Sequence, residues 1–176
     1  MTDITNLSTV NVAISNYIAV VTMNNPPVNA QNRQFHDDLT LVFDVLSDRN
    51  DVRSIVLTGA GKCFSAGADI KGRASQESDL GDHWVHSRRV RECFYSIMEC
   101  RKPVIAAING AALGAGLAVA ASADILIASE SASVGLPEIN VGLLGGGRHA
   151  MRLFGHSKTR RLMLTGQRLS GAELYR

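Results

Sequence analysis

Two glycine-rich segments and one carboxylate hold the chemistry this sequence can do. The run Ile108-Asn-Gly-Ala-Ala-Leu-Gly-Ala-Gly116 reads as a strand feeding a helix start. A helix start presents backbone N–H groups without intrahelical partners, and these attract an oxyanion. Cys63-Phe-Ser-Ala-Gly-Ala-Asp-Ile70 is the second segment. There Gly67 permits backbone angles closed to other residues and can expose the next N–H, that of Ala68. The carboxylate is Glu138, in Leu136-Pro-Glu-Ile139. Leu136, Ile139, Val141 and Leu143 give it an apolar setting, which favours a raised pKa and acid/base work near neutral pH. Each feature also has a plainer reading. Gly67 fits an ordinary tight turn after a buried strand, Leu113-Gly-Ala-Gly116 fits close helix–strand packing, and Glu138 fits a surface loop. The segment ending at Gly116 lacks the Gly-Lys-Ser/Thr ending of a P-loop, which argues against nucleoside triphosphate chemistry. Cys63, Cys93 and Cys100 have neither disulfide-framework nor zinc spacing, and no His/Cys/Asp set is spaced for a metal.

The elements that must position these residues follow from periodicity. Val10, Val12 and Ile14, then Ile18, Val20 and Thr22, alternate around Ser15-Asn16 and predict a β-hairpin. Asn25-Pro-Pro-Val-Asn-Ala30 breaks it. Phe35, Leu39, Val42, Val45 and Leu46 predict an amphipathic helix over residues 31–47. Residues 48–51 read as a turn, 54–59 as a buried strand, 60–69 as a loop, and 72–82 as a polar, mobile stretch. Val85, Val90, Phe94, Ile97 and Met98 predict a helix over 83–101, ended by Pro103. Strands follow at 104–108 and 123–128, with a helix at 114–121 between them; these strands and 54–59 are expected at the buried centre. Leu144-Gly-Gly-Gly147 opens a helix, Ser157 is placed to cap one over 158–165, and Ser170-x-x-Glu173 has capping-box spacing. Strands alternating with helices argue an α/β class.

Bulk composition narrows the function classes. The 176 residues suffice for one domain with a sizeable core, and 45% hydrophobic against 19% charged residues marks a globular chain. Eighteen basic residues against sixteen acidic ones give no support for a general polyanion binder. Arg148, Arg152, Lys158, Arg160, Arg161 and Arg168 crowd the last part of the chain and read as a solvated helix face. The start carries no secretory signal and the longest apolar run is too short for a bilayer, so a soluble cytoplasmic protein with no membrane partner is expected.

Several motifs together resemble the crotonase family, the enoyl-CoA hydratases and isomerases. Phe64-Ser-Ala-Gly-Ala-Asp-Ile-Lys71 looks like the family's loop before its first oxyanion donor, and Ile108 to Gly116 like the segment bearing the second. Ser122-Ala-Asp-Ile-Leu-Ile-Ala128 resembles the strand that follows. Val134-Gly-Leu-Pro-Glu-Ile-Asn-Val-Gly-Leu-Leu144 resembles the catalytic loop, and the match continues to Leu164. The resemblance implies a crotonase-like spiral of ββα units. It implies that the N–H groups of Ala68 and Ala115 hold a thioester oxygen, with Glu138 as acid/base. It places Ala66, Asp69 and Ile70 along the coenzyme A path, with Lys62 and Lys71 toward its phosphates. Coenzyme A enters as part of the substrate, with no separate cofactor and no metal.

Two departures from the family pattern stand out. Ala118 occupies the place of a hydratase's second glutamate, which favours an isomerase-like, single-glutamate reaction over hydration; a non-catalytic acyl-CoA binder is the other alternative. Thr165-Gly-Gln-Arg-Leu-Ser-Gly-Ala-Glu173 looks like the entry to the family's C-terminal helices. Residues 1–176 are therefore expected to form a single core domain without that segment. A longer chain is expected to trimerise or form hexamers, and apolar surface is expected near Leu162 and Leu164. RNA binding is disfavoured, because the first helix carries Asp37, Asp38 and Asp44 against Arg33 alone.

Overall fold

The computed structural model of the chain describes residues 4, 6–70 and 79–175. Strands β1 (Val10–Ser15) and β2 (Ile18–Met23) form the expected antiparallel hairpin, with Ser15 opposite Ile18. Its two turn residues, Asn16 and Tyr17, have φ of 50° and 64°. Positive φ at both central positions is what a two-residue hairpin turn demands to match strand twist.

Four ββα units then follow. The first is β2, β3 (Ala30–Gln31) and α1 (Arg33–Asp48). The second is β4 (Ser54–Gly59), β5 (Cys63–Ser65), β6 (Gly67–Ala68) and α2 (Leu80–Met98). β7 (Val104–Ile108), β8 (Ala111–Leu113) and α3 (Ala115–Ala121) make the third. β9 (Ile125–Ala128) and β10 (Ser133–Gly135) lead through a 3₁₀ turn (Pro137–Val141) to α4 (Gly147–Ala150) and α5 (His156–Thr165). β11 (Arg168–Ser170) and α6 (Gly171–Tyr175) end the chain. The first strand of each unit joins a five-stranded sheet of order β1-β2-β4-β7-β9, parallel except at β1. The second strands β5, β8 and β10, with β11 added antiparallel, build a four-stranded sheet of order β11-β10-β8-β5, while β3 pairs with β6.

The core lies where α1 covers the five-stranded sheet. Alternate residues of β4, Ile55 and Leu57, are fully buried, as are Val21 and Met23 on β2 and Phe35, Leu39, Val42, Phe43 and Leu46 on α1. Asn32 caps α1 by accepting the Phe35 N–H at 2.9 Å. One cluster of buried side chains runs from these residues to Val134 and Leu162 in the second half of the chain.

Several expectations need correction. Residues 60–69 are not only loop: β5 and β6 form there, each held by a distant partner strand. α2 begins at Leu80, because Asp79 accepts the Asp82 N–H as its N-cap, and Val85 on its stripe is 48% exposed. β9 is not central. It is the sheet's edge strand, and Ile125 and Ile127 are exposed. Gly155, not Ser157, occupies the N-cap of α5, and Leu162 is buried while Leu164 is 58% exposed. Ser170 and Glu173 do pair: the Ser170 N–H and hydroxyl both donate to Glu173 Oε2 at 2.9 Å. Residues 72–78 of the polar stretch lie outside the described residues.

Candidate active site

The second and third units carry the two candidate donor segments, and polar side chains lock the path into the first of them. Asn109, just after β7, donates from Nδ2 to the carbonyls of Gly59 and Gly61 at 2.9 and 3.0 Å. Asn29, 2% exposed, donates from Nδ2 to the carbonyls of Ala60, Cys63 and Phe64 at 3.1, 2.8 and 3.2 Å. These bonds fix the path from β4 into β5. β6 then pairs with β3, Gly67 opposite Ala30 and Ala68 opposite Gln31, and the Asp69 N–H donates to the Gln31 carbonyl at 3.0 Å.

Gly67 has φ of +94°, and a Cβ there would fall 2.6 Å from the Leu113 carbonyl oxygen and 3.2 Å from the Ala115 nitrogen. The residue before Ala68 is thus pressed against the start of α3. Gly114, with φ of +56°, makes the turn into that helix, and its N–H donates to the Gly135 carbonyl at 2.9 Å. That bond draws the end of β10, and the 3₁₀ turn beyond it, onto the same spot.

Glu138 sits in this 3₁₀ turn. A Cβ on Gly114 would lie 2.8 Å from its Oε1, and Cβ atoms on Gly145 and Gly146 would lie 3.9 Å from it. Its Oε2 is buried without a hydrogen-bond partner among the described residues. Burial raises the Glu138 pKa above the ordinary carboxylate value, opposed by its own backbone N–H. A carboxylate that has lost more water than its hydrogen bonds replace holds its proton more tightly, which suits exchange with carbon. The walls differ from those expected. Leu136 is buried, but Ile139, Val141 and Leu143 face solvent at 40%, 52% and 40% exposure, while Gly114, Gly145 and Gly146 lie beside the carboxylate. Gly145 and Gly146 were legible only as a helix start.

The structure therefore brings Gly67, Ala115 and Glu138 together. Ala68 is exposed and Ala115 half-buried. Ala118 is 1% exposed in α3, with its N–H on the Gly114 carbonyl at 3.1 Å. Lys62, Ala66 and Ile70 are exposed and Asp69 half-buried, while Lys71 lies outside the described residues. Asp124 is structural: its Oδ2 accepts the Val104 N–H at 2.8 Å. A separate cleft of 410 Å³, lined by Leu117, Leu126, Val134, Phe154 and Leu174 among others, does not include Glu138. Among the described residues no His/Cys/Asp/Glu group could hold a metal, and no helix is long and apolar enough to cross a membrane.

A family model described as enoyl-CoA hydratase/isomerase matches residues 13–176. A probable enoyl-CoA hydratase of Bacillus subtilis is 38% identical over 170 residues, covering 95% of this chain and 66% of that protein. The (7aS)-7a-methyl-1,5-dioxo-2,3,5,6,7,7a-hexahydro-1H-indene-carboxyl-CoA hydrolase of Mycobacterium tuberculosis is 36% identical over 158 residues, 89% of this chain and 63% of its own. The crystal structure of an enoyl-CoA hydratase from Bacillus anthracis matches with a TM-score of 0.86 at 31% identity, over 94% of this chain and 66% of that one. The chain spans 66% or less of the length of these relatives.

Proposed function

The chain belongs to the enoyl-CoA hydratase/isomerase family, and from that premise we propose that the whole protein is an acyl-CoA enzyme working through a thioester enolate. The observation that supports this most is Glu138: one buried, unpartnered carboxylate oxygen beside the turn that starts α3. In this reading the N–H groups of Ala68 and Ala115 donate to the thioester oxygen. Glu138 takes a proton from one carbon of the acyl chain, the electron pair moves into the enolate, and the donors stabilise the charge on oxygen. The same carboxyl returns the proton to a second carbon, so the carbon–carbon double bond shifts and no atom is gained or lost. In the same reading Ala66, Asp69 and Ile70 line the coenzyme A path and Lys62 serves its phosphates. The protein assembles as a trimer or hexamer and works in the cytoplasm.

Ala118 favours isomerisation over hydration in this reading. Orienting and splitting water is served by two carboxylates, and the side chain at 118 is a buried methyl. Hydration is the second reading, supported by the name of the Bacillus subtilis relative. A pure acyl-CoA binder is the weakest alternative, because binding alone needs no desolvated carboxylate. The test uses the whole protein with a 3-enoyl-CoA and with crotonyl-CoA. Glu138→Gln is expected to cut isomerisation by about 10²–10⁴-fold while the thioester still binds. Crotonyl-CoA hydration is expected to be weak and to rise with Ala118→Glu. Fast hydration with Ala118 in place overturns the single-carboxylate reading, and full turnover by Glu138→Gln overturns the role of Glu138.

A further inference from the structure

Ser65 ends β5, where the pairing with β8 slips: Cys63 faces Ala111 and Ser65 faces Ala112, so β5 carries one extra residue. Such a bulge re-aims the side chain that follows it. Here Phe64 and Ser65 are both completely buried. The Ser65 hydroxyl donates to the Asn29 carbonyl at 2.7 Å, and it accepts from Gln31 Nε2 at 3.2 Å and from the Gly67 N–H at 3.3 Å. A hydroxyl has one proton and two lone pairs, so these three bonds use all of it. Ser65 has no lone pair left for a substrate. It is a buttress, not a nucleophile.

What it braces is the peptide bearing the Ala68 N–H. On one side the Gly67 N–H is held by Ser65 Oγ, and on the other the Asp69 N–H is held by the Gln31 carbonyl. Gln31 thus serves twice, with its backbone on Asp69 and its side-chain amide on Ser65. Because the Gln31 amide nitrogen is spent on Ser65, its oxygen faces His36 Nε2 at 3.4 Å, which fixes the amide's orientation. Ser65 also touches the other candidate donor segment. A Cβ on Gly116 would fall 2.2 Å from the Ser65 carbonyl oxygen and 3.0 Å from Ser65 Cβ, so the first turn of α3 rests directly on this residue.

We infer that Ser65, oriented by Gln31, is the positioning residue that sets the amides of Ala68 and Ala115 toward one thioester oxygen. This rests on the oxyanion reading above. The test follows enolate formation in the whole protein as deuterium uptake at the α-carbon of butyryl-CoA in D₂O, read by mass spectrometry, beside calorimetric binding of the same thioester. Ser65→Ala is expected to slow exchange by about 10²-fold, comparable to losing one oxyanion donor, with the Kd changed less than threefold. Gln31→Met keeps the backbone ladder but removes the amide, and is expected to slow exchange by roughly tenfold, a partial form of the same loss. It decides the matter where Ser65→Ala does not fold. Ala68→Pro removes the donor itself. If Ala68→Pro slows exchange while both other variants exchange like the unmutated protein, the positioning role is overturned and the oxyanion reading stands. If Ala68→Pro exchanges at the unmutated rate, the oxyanion reading falls and the inference falls with it. A Kd that rises by the same factor as exchange slows would make Ser65 a general packing residue and overturn the inference.

Discussion

His36 gives a stability prediction whose size can be worked from its surroundings. The residue is 2% exposed on α1, its Nε2 faces Gln31 Oε1, and its Nδ1 is buried with no partner among the described residues. An imidazolium carries two N–H donors, and here the second has nothing to donate to. Burial, foremost, and the nearby His86 and Arg89 charges lower its pKa from 6.5 to about 4, with Asp37 opposing. The sign follows directly. The unfolded chain takes up this proton near pH 6.5 and the native chain only near pH 4, so stability is full above 6.5 and is lost as pH falls toward 4. The whole gap is worth about 3 kcal/mol, of which about 2 kcal/mol is lost between pH 7 and pH 5. For a chain of this size that is a drop in Tm of roughly 4–8 °C. His36→Gln keeps a donor toward Gln31 and removes the titration. Urea unfolding followed by circular dichroism at pH 7, 6 and 5 should show the variant losing about 2 kcal/mol less than the unmutated protein over that range. His149, also lowered by burial and by Arg152 and Arg148, and Glu138, raised by burial, titrate in both proteins and cancel in the difference. Parallel pH dependences in the two proteins would refute the reasoning, since they would mean that His36 is charged or solvated in the native state.

Three further outcomes follow from the same geometry. Because burial raises the Glu138 pKa, it becomes an ionised base only above the ordinary carboxylate range, so the acid limb of kcat/KM should have its midpoint above 4.5; a midpoint at or below that value contradicts its desolvation. Gly114→Ala places a Cβ 2.8 Å from Glu138 Oε1 at a φ of +56°. It should cost about 1–3 kcal/mol of stability and slow α-carbon exchange at least as much as it weakens folding, and unchanged exchange would show that Glu138 is free to move aside. Asn29→Ala removes the amide that holds three carbonyls and leaves alanine at a φ of 53°, for an expected loss of about 2–4 kcal/mol in urea unfolding, whereas a loss under about 1 kcal/mol would mean that these bonds are replaced by water.

The alternation of strands and helices was legible because β2, β4, β7 and α1 are long enough to show a period, whereas the crotonase-like spiral of ββα units was legible only through the family resemblance. Two- and three-residue strands show none. β5, β6 and β8 exist because their partners do, and nothing local in residues 60–69 or 111–113 marks them. β9 shows the opposite limit. Ile125, Leu126 and Ile127 read as a central strand from hydropathy alone, since a run of large aliphatic residues looks the same at the edge of a sheet as in its middle. The helix-start glycines and Glu138 were legible as chemistry, and the structure gathers them. What surrounds the carboxylate was not legible, because Gly114, Gly145 and Gly146 lie beside it and carry little hydropathic signal.

The polar frame behind the site was the least legible part, for a reason that bears on how the site works. Ser65 and Gln31 are polar residues that composition would assign to the surface, yet both are buried, and their bonds join residues far apart in sequence. Only the bulge in β5 and the parallel pairing of β3 with β6 bring them together. In the proposed reading, in which the amides of Ala68 and Ala115 hold an oxyanion, the site cannot store its geometry in those residues, since neither has a side-chain hydrogen bond to make. The orientation must be kept by neighbours with saturated polar groups, and such neighbours leave no motif of their own. A buried serine that spends all its hydrogen-bonding capacity behind a glycine turn is what that requirement looks like in this chain.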